Sequence, residues 1–300
     1  MPGTRKPGMD HDHYDWSPIT ARPPLKWPRG ARVALCVIVN LEHHEWTIPP
    51  DGFMPAAALG PQRLPHPPST PWSYHQYGHR VGIFNVMEVL DRYGIKATVA
   101  MDAATADNYP FIVQECQKRK WEFIGHGLTM QRIITSKMNE EQEREYIRTS
   151  MNSLQKSTGV RPVGWLGGEF SESTRTPELL AEEGVRYVCD WPNDEQPYKM
   201  KGQDAYFLPT LLELDDEYSM RAPRFLPVTE YCQMLQDAFD VVYHDSAQSG
   251  RVLAFTLHPY LMGQPFRVKY LDLALAHMTK YGALWKATGK EIIDWYARKR

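Results

Sequence analysis

The hydrophobic pattern predicts strands and helices that alternate along most of the chain. Residues 32–40 form an almost unbroken apolar and β-branched run, and 251–258 form a similar one, which is typical of strands buried on both faces. Apolar positions in 82–93 recur at helical spacing, and Gly94 follows where a helix would end. Further strands are predicted at 96–101, 121–125, 163–166, 186–190 and 206–209, and further helices at 110–120, 139–157, 176–183 and 229–244.

This alternation indicates an α/β fold with a mainly parallel sheet, and the number of units favours a closed or nearly closed (β/α) barrel. We expect one barrel domain over 31–300. Residues 1–30 are rich in Pro, Gly and charge and are expected to form an extended N-terminal arm. Residues 46–80 are rich in Pro and are expected to form a long irregular loop that acts as a lid or an oligomer contact. The arm and the loop together predict a homo-oligomer.

Charge and composition narrow the range of partners. Lys and Arg total 34 against 36 Asp and Glu, a net charge of -2, so no electrostatic footprint for nucleic acid or an anionic membrane is visible. Residues 1–22 lack the apolar stretch of a signal peptide, and no run approaches the ~20 apolar residues of a membrane span. We therefore expect a cytoplasmic protein that binds a small-molecule substrate.

Polar residues cluster where the predicted strands end. Glu42 and His43 follow the first strand, His126 follows the third, and His258 ends the last. Barrel enzymes gather their chemistry at the carboxyl ends of strands, so carboxylate and imidazole groups are expected around one cavity. That combination suits general acid and base hydrolysis. Any one of these groups, taken alone, could equally be a satisfied polar residue of the core.

Several passages together resemble the polysaccharide deacetylase (NodB-homology) superfamily, in the branch that contains allantoinase-like and cyclic-imide hydrolases. They are ALCVIVNLEHHEW, YGHRVGIFNVMEVLDRYGIKATVAM, EFIGHGLTM, GVRPVGWLGG, YVCDW and LAFTLHPYLMGQPFR, and with SPITARPPLKWP they extend from roughly residue 16 to the C-terminal helix. The resemblance implies a distorted (β/α) barrel of the NodB-homology type with seven or eight strands. It also implies a hydrolase of carbon–nitrogen bonds other than peptide bonds.

The resemblance assigns roles to matching residues. The first family motif carries a catalytic base and a metal ligand, which implies Glu42 together with Asn40 or His43, and the register stays open. In the third motif, Arg161 would orient the catalytic acid and Trp165 would line the pocket. Asp190, Trp191 and Tyr260 are further candidates for substrate binding. His258 would be the general acid, because an imidazole titrates near neutral pH.

The second motif departs from the family pattern. The family supplies two metal-binding histidines four residues apart, whereas this chain has His126 followed by Met130. A thioether is a poor ligand for hard or borderline ions. A divalent metal such as zinc, held by Glu42, His126 and another group, and a reaction without metal both stay open. Glu169, after two glycines, could equally reach the pocket or lie in a flexible loop.

We predict that Glu42 activates water for attack on the carbonyl of a small cyclic amide, ureide or imide. His126 would polarise the oxyanion or anchor a metal, and His258 would protonate the leaving nitrogen. One alternative is a metal-dependent deacetylase of a carbohydrate or other acetylated metabolite. A second is a non-catalytic binding protein on the same fold.

Overall fold

The computed structural model describes residues 10–53, 69–221 and 223–299, except for the side chain of Ser69. Its strands are β1 (Val33–Leu41), β2 (Thr98–Met101), β3 (Glu122–Gly125), β4 (Gly164–Trp165), β5 (Tyr187–Val188), β6 (Tyr198–Lys199), β7 (Tyr206–Phe207), β8 (Arg251–Leu257) and β9 (Leu284–Lys286). Its helices are α1 (Ser69–Tyr77), α2 (Ile83–Arg92), α3 (Ala103–Asn108), α4 (Pro110–Lys118), α5 (Glu140–Thr158), α6 (Thr176–Glu182), α7 (Asp216–Met220), α8 (Val228–Asp245), α9 (Pro259–Met262), α10 (Pro265–Met278) and α11 (Gly289–Lys299).

These elements form one curled sheet in the order β6-β7-β5-β4-β3-β2-β1-β8, with β9 paired to the first half of β1. All the pairs are parallel except β6 with β7. The predicted distorted barrel is confirmed. Among the described residues no strand pair joins β8 to the β6 edge, and single backbone hydrogen bonds bridge this gap, from Val252 N–H to Glu195 O at 2.8 Å and from Leu211 N–H to Ala254 O at 3.2 Å.

The side chains of β1 alternate between two apolar layers. Val33, Leu35, Val37, Val39 and Leu41 pack in the layer that contains the apolar faces of α2, α8 and α10. Ala34, Cys36 and Ile38 pack in the second layer, with Ile124, Leu166 and Cys189. Because successive side chains of a strand point to opposite faces, Asn40 falls on the second side and Leu41 on the first. This alternation decides which residues beyond the end of β1 face the cavity.

The Pro-rich segment 46–80 is partly helical. The prediction of an irregular loop at 46–80 is wrong for its last part, because α1 and a π-helical turn, Gly78–Gly82, occupy 69–82. His75, Gly78 and Gly82 pack against the segment 258–263, which keeps this stretch helical despite its glycines and proline. Residues 54–68 of that loop lie outside the described residues.

The described part of the N-terminal arm, residues 10–30, lies against the barrel. Trp27 is buried and its indole N–H donates to the carbonyl of Arg251 at 2.9 Å, and the guanidinium of Arg22 pairs with Asp194. Homo-oligomer formation and a cytoplasmic location stay predictions.

Within the described residues, no helix combines the length and the apolar character that crossing a bilayer requires.

Candidate active site

A cavity of about 520 Å³ opens at the carboxyl ends of the strands. Three of its residues each follow directly on the last residue of a strand: Glu42 after β1, His126 after β3 and His258 after β8. Parallel strands bring these carboxyl ends to one edge of the sheet. Three stretches that are far apart in sequence therefore deliver one carboxylate and two imidazoles to one place.

The carboxylate of Glu42 is the centre of this cluster. Its Oε1 lies 3.1 Å from His126 Nε2 and 3.3 Å from His258 Nε2. Burial alone would raise the pKa of Glu42, but the charges of His258 and His126 and their hydrogen bonds hold it well below its usual range. Glu42 is therefore ionised at neutral pH although its side chain is almost fully buried.

His258 lies among carboxylates on both sides of its ring. Nδ1 is 2.7 Å from Asp216 Oδ1, and Nε2 is 3.2 Å from Glu217 Oε2. The backbone N–H of His258 also donates to the Asp216 carboxylate at 3.0 Å. Burial would lower the pKa of this imidazole, but Glu42, Asp215, Glu217 and Asp216 raise it well above its usual value. His258 therefore carries a proton at neutral pH.

His126 has its orientation fixed by the chain. Nδ1 donates to the carbonyl of Leu166 at 2.6 Å, so Nε2 faces Glu42. Burial alone would lower the pKa of His126, but the hydrogen bond with Glu42 and the charge of Glu42 raise it. The ring therefore meets the carboxylate as a hydrogen-bond donor.

The donors of the family metal site do not fit a metal here. His126 and Met130 both line the cavity, so the place of the second imidazole is taken by a thioether. Other donor atoms do lie within 4.8 Å of one another, in the set Glu42, Glu217 and His258. In this set, His258 Nε2 already pairs with both Glu42 and Glu217.

Several acids near the cluster hold protons more tightly than usual, and Glu217 and Glu169 are two of them. Burial, followed by the charges of other acids, raises the pKa of Glu217 to about 8 despite the opposing effect of His258. Burial and the charge of Glu42 raise the pKa of Glu169 to about 7. Glu169 has φ +55°, a left-handed conformation that is uncommon for a residue other than glycine, and it lines the cavity.

Five of the residues predicted from the sequence line the cavity: Asn40, Glu42, His126, Asp190 and His258. Asn40 Nδ2 lies 3.0 Å from His258 Nε2, and Asp190 Oδ1 accepts the backbone N–H of Gly167 at 2.7 Å. Asn40, and not His43, thus lines the cavity together with Glu42. His43 turns away, with its backbone N–H bonded to Asp102 and its ring 6.2 Å from that of Tyr109.

The expected role of Arg161 is wrong. Its guanidinium donates to Asn152, Gln155 and the carbonyl of Glu183, about a third of its side chain is exposed, and it does not line the cavity. The physical reason is its position before β4, which places it at the amino end of the strand, opposite the cavity.

The three predicted aromatic residues also lie outside the cavity lining. Trp165 is completely buried in the layer under α5 and α6, and its neighbour Leu166 faces the cavity instead, because side chains alternate along β4. Trp191 packs on Phe207, with its indole N–H bonded to Glu172 at 2.7 Å. Tyr260 is buried with its ring 4.0 Å from that of His75.

The sequence interpretation missed Asp215, Asp216 and Glu217, the acids that surround His258. They lie at the start of the short helix α7, where the Asp215 side chain accepts the N–H of Tyr218 at 2.8 Å. Thr256 on β8 donates to Asp215, which ties this helix to the last strand. The only signal was a run of three acids after the leucine-rich residues 211–214, and such a run usually indicates an exposed helix start.

Known proteins resemble this chain in sequence and in fold. The polysaccharide deacetylase family model matches residues 77–188. This segment therefore resembles a polysaccharide deacetylase domain of the NodB-homology type. A Schizosaccharomyces pombe protein assigned as a polysaccharide deacetylase is 24% identical over 94% of each chain. A Helicobacter pylori peptidoglycan deacetylase is 22% identical over 74% of this chain and 86% of its own.

Solved structures extend the likeness over nearly the whole chain. A Pseudomonas aeruginosa PAO1 protein assigned as a polysaccharide deacetylase superposes with a TM-score of 0.82 at 25% identity, covering 93% of this chain and 95% of its own. PuuE allantoinase superposes with a TM-score of 0.82 at 24% identity, covering 92% and 94%. The barrel is thus of the NodB-homology type, and the chain is a polysaccharide deacetylase-like hydrolase.

Proposed function

We propose that this hydrolase cleaves the carbon–nitrogen bond of a small cyclic amide, ureide or imide. The observation that supports this most is the position of Glu42 Oε1, within 3.3 Å of two imidazole nitrogens on the wall of one cavity. An ionised carboxylate beside a protonated imidazole provides a base and an acid for hydrolysis at the same place.

In the proposed reaction, Glu42 takes a proton from water while the water oxygen attacks the carbonyl carbon. The positive charge of His126 lies beside Glu42, where it offsets negative charge that develops on the former carbonyl oxygen. His258 then gives its proton to the leaving nitrogen, and the carbon–nitrogen bond breaks. Because Glu42 Oε1 and His258 Nε2 are 3.3 Å apart, the proton taken from water can pass to His258 and restore the starting state.

The cavity volume supports a small substrate, because about 520 Å³ is in the lower part of the range for small-molecule sites. A likeness to an allantoinase at 24% identity supports a related ring-opening reaction as a hypothesis about substrate. The thioether at Met130, in place of the second family imidazole, favours a reaction that does not depend on the family metal.

A substrate panel tests this proposal. Cyclic imides, hydantoins and cyclic ureides would be incubated with the purified protein, with and without a chelator, and ring opening would be followed by chromatography. We expect turnover of at least one class, unchanged by chelation and abolished in Glu42→Gln. Ring opening that is lost on chelation would contradict the metal-independent scheme.

The names of the relatives favour a second candidate, a metal-dependent deacetylase. The same panel therefore includes N-acetylated sugars and simple acetylated metabolites, with acetate release as the readout. Acetate release that disappears with chelator and returns with zinc would support the deacetylase. Binding in a thermal-shift screen with no product from any compound would instead support a non-catalytic binding protein.

A further inference from the structure

A third imidazole, His44, lies behind Glu42 on the side away from the cavity, and the mechanism above does not use it. Its Nε2 is 4.0 Å from Glu42 Oε2, while the other carboxylate oxygen, Oε1, contacts His126 and His258. The two oxygens of Glu42 thus face different groups. His44 is buried, and its Nε2 has no hydrogen-bond partner among the described residues.

The protonation of His44 follows from its neighbour Gln131. The backbone N–H of Glu45 donates to Gln131 Oε1 at 2.6 Å, which fixes the orientation of the amide. The amide nitrogen of Gln131 is then the atom 3.3 Å from His44 Nδ1, and because an amide nitrogen only donates, Nδ1 accepts. A protonated imidazole has no acceptor nitrogen, so a ring that accepts at Nδ1 is neutral. A neutral ring that accepts at Nδ1 carries its hydrogen on Nε2.

The Nε2 hydrogen is therefore on the side of the ring that faces Glu42. At 4.0 Å the two atoms are too far apart for a direct hydrogen bond. A polar void of about 10 Å³ lies here, lined among others by Glu42, His44, His75 and His79, and this is close to the space that one water molecule needs. A separation of this kind suits a contact bridged by one water.

We propose that His44 is a positioning residue for Glu42. Its Nε2–H, through one water molecule, holds Oε2 so that Oε1 stays directed at the two imidazoles and the cavity, and Gln131 selects the tautomer that makes this possible. The catalytic consequence rests on the proposed function, whereas the tautomer is a property of the folded protein alone.

Two conservative substitutions separate this role from simple packing. The amide nitrogen of a glutamine can occupy the place of His44 Nε2, whereas the amide of an asparagine reaches only the place of Nδ1. We expect His44→Gln to retain kcat within about threefold and His44→Asn to lose about 10- to 100-fold in kcat with little change in KM. His244→Asn, which removes an exposed imidazole in the last turn of α8 that lines neither the cavity nor this void, is the control and should stay within about twofold of the unaltered enzyme.

Thermal unfolding of all three variants would establish that they fold. Equal loss of kcat in the two His44 variants, or full activity in His44→Asn, would overturn the positioning role.

The tautomer is tested without turnover, by NMR of protein labelled with 15N-histidine. We expect His44, assigned by the signal missing from His44→Gln, to show a protonated Nε2 and an unprotonated Nδ1. Gln131→Met should allow the other tautomer to appear. A proton on Nδ1 in the unaltered protein would overturn the inference whatever the substrate. Absence of turnover with the expected tautomer would instead count against the proposed function.

Discussion

Two glutamates of the same sheet, Glu42 and Glu122, lie at opposite ends of their strands. Glu42 follows β1, whereas Glu122 begins β3 and accepts hydrogen bonds from Tyr187 Oη at 2.6 Å, the backbone N–H of Lys290 at 2.9 Å and Thr98 Oγ1 at 3.2 Å. The partners of Glu122 are neutral, so burial raises its pKa. The partners of Glu42 are imidazoles, and they outweigh burial and lower its pKa.

The difference shows how its partners decide whether a buried carboxylate is easily ionised. Neutral donors saturate Glu122 and tie β2, β3, β5 and the start of α11 together, so this residue has a structural role. Glu42 has a protonatable partner on each side of Oε1 and lines a cavity, so a proton that it accepts can be passed on. Desolvation alone is therefore a poor guide to function, and the chemistry of the partners decides it.

The same substitution at both glutamates tests this comparison most strongly. Glu42→Gln removes the proposed base, and we expect kcat to fall by about 10³-fold, within the usual range for general base catalysis. Glu122→Gln should keep kcat within about twofold. Steady-state kinetics on the substrate found in the panel would measure both. Full turnover by folded Glu42→Gln would refute the role of Glu42.

Removing the acceptor at Glu122 should instead affect stability. In Glu122→Met the hydroxyl of Tyr187 and the backbone N–H of Lys290 lose their partner, and we expect the free energy of unfolding to fall by about 2 kcal/mol. Denaturant titration would measure this, with activity per folded molecule as the control. A stability equal to that of the unaltered protein would show that these hydrogen bonds do not contribute.

The pH dependence should reveal the charge pair at Glu42. The proposed reaction needs Glu42 ionised and His258 protonated, and the pKa of Glu42 is lowered while that of His258 is raised. We therefore expect kcat/KM to fall only below pH 4.5 on the acid side and only well above pH 6.5 on the alkaline side. Asp216→Asn removes one of the charges that stabilise protonated His258, so the alkaline limb should move down by about one pH unit.

If the alkaline limb does not move in Asp216→Asn, that limb does not report the loss of the proton from His258. Asp237→Asn, on the exposed face of α8, is a control of equal charge change and should leave the profile as it is.

The smallest effect is expected at Arg161. Its contacts are with partly exposed residues at the amino end of β4, so Arg161→Ala should change kcat/KM by less than about twofold and stability by no more than about 1 kcal/mol. A loss of kcat comparable to that of Glu42→Gln would mean that Arg161 acts on the cluster after all.

Much of the fold was predictable from local sequence. The predicted strand at 32–40 and helix at 139–157 correspond to Val33–Leu41 and Glu140–Thr158, because a long apolar run and a capped amphipathic stretch are signals contained within one segment. The shortest strands, such as Gly164–Trp165, extend over fewer residues than predicted. Their ends depend on pairing with neighbours, which local sequence does not contain.

The same distinction between local sequence and tertiary contacts applies to the candidate site. The sequence by itself determined that Glu42, His126 and His258 follow strands, and strand ends of a parallel barrel meet at one edge. Only the tertiary structure decided that Asp216 and Glu217 reach His258 from a separate helix, that Asn40 rather than His43 accompanies Glu42, and that Arg161 lies at the far end of its strand. Proximity between distant segments and the face to which a side chain turns depend on packing of the whole barrel.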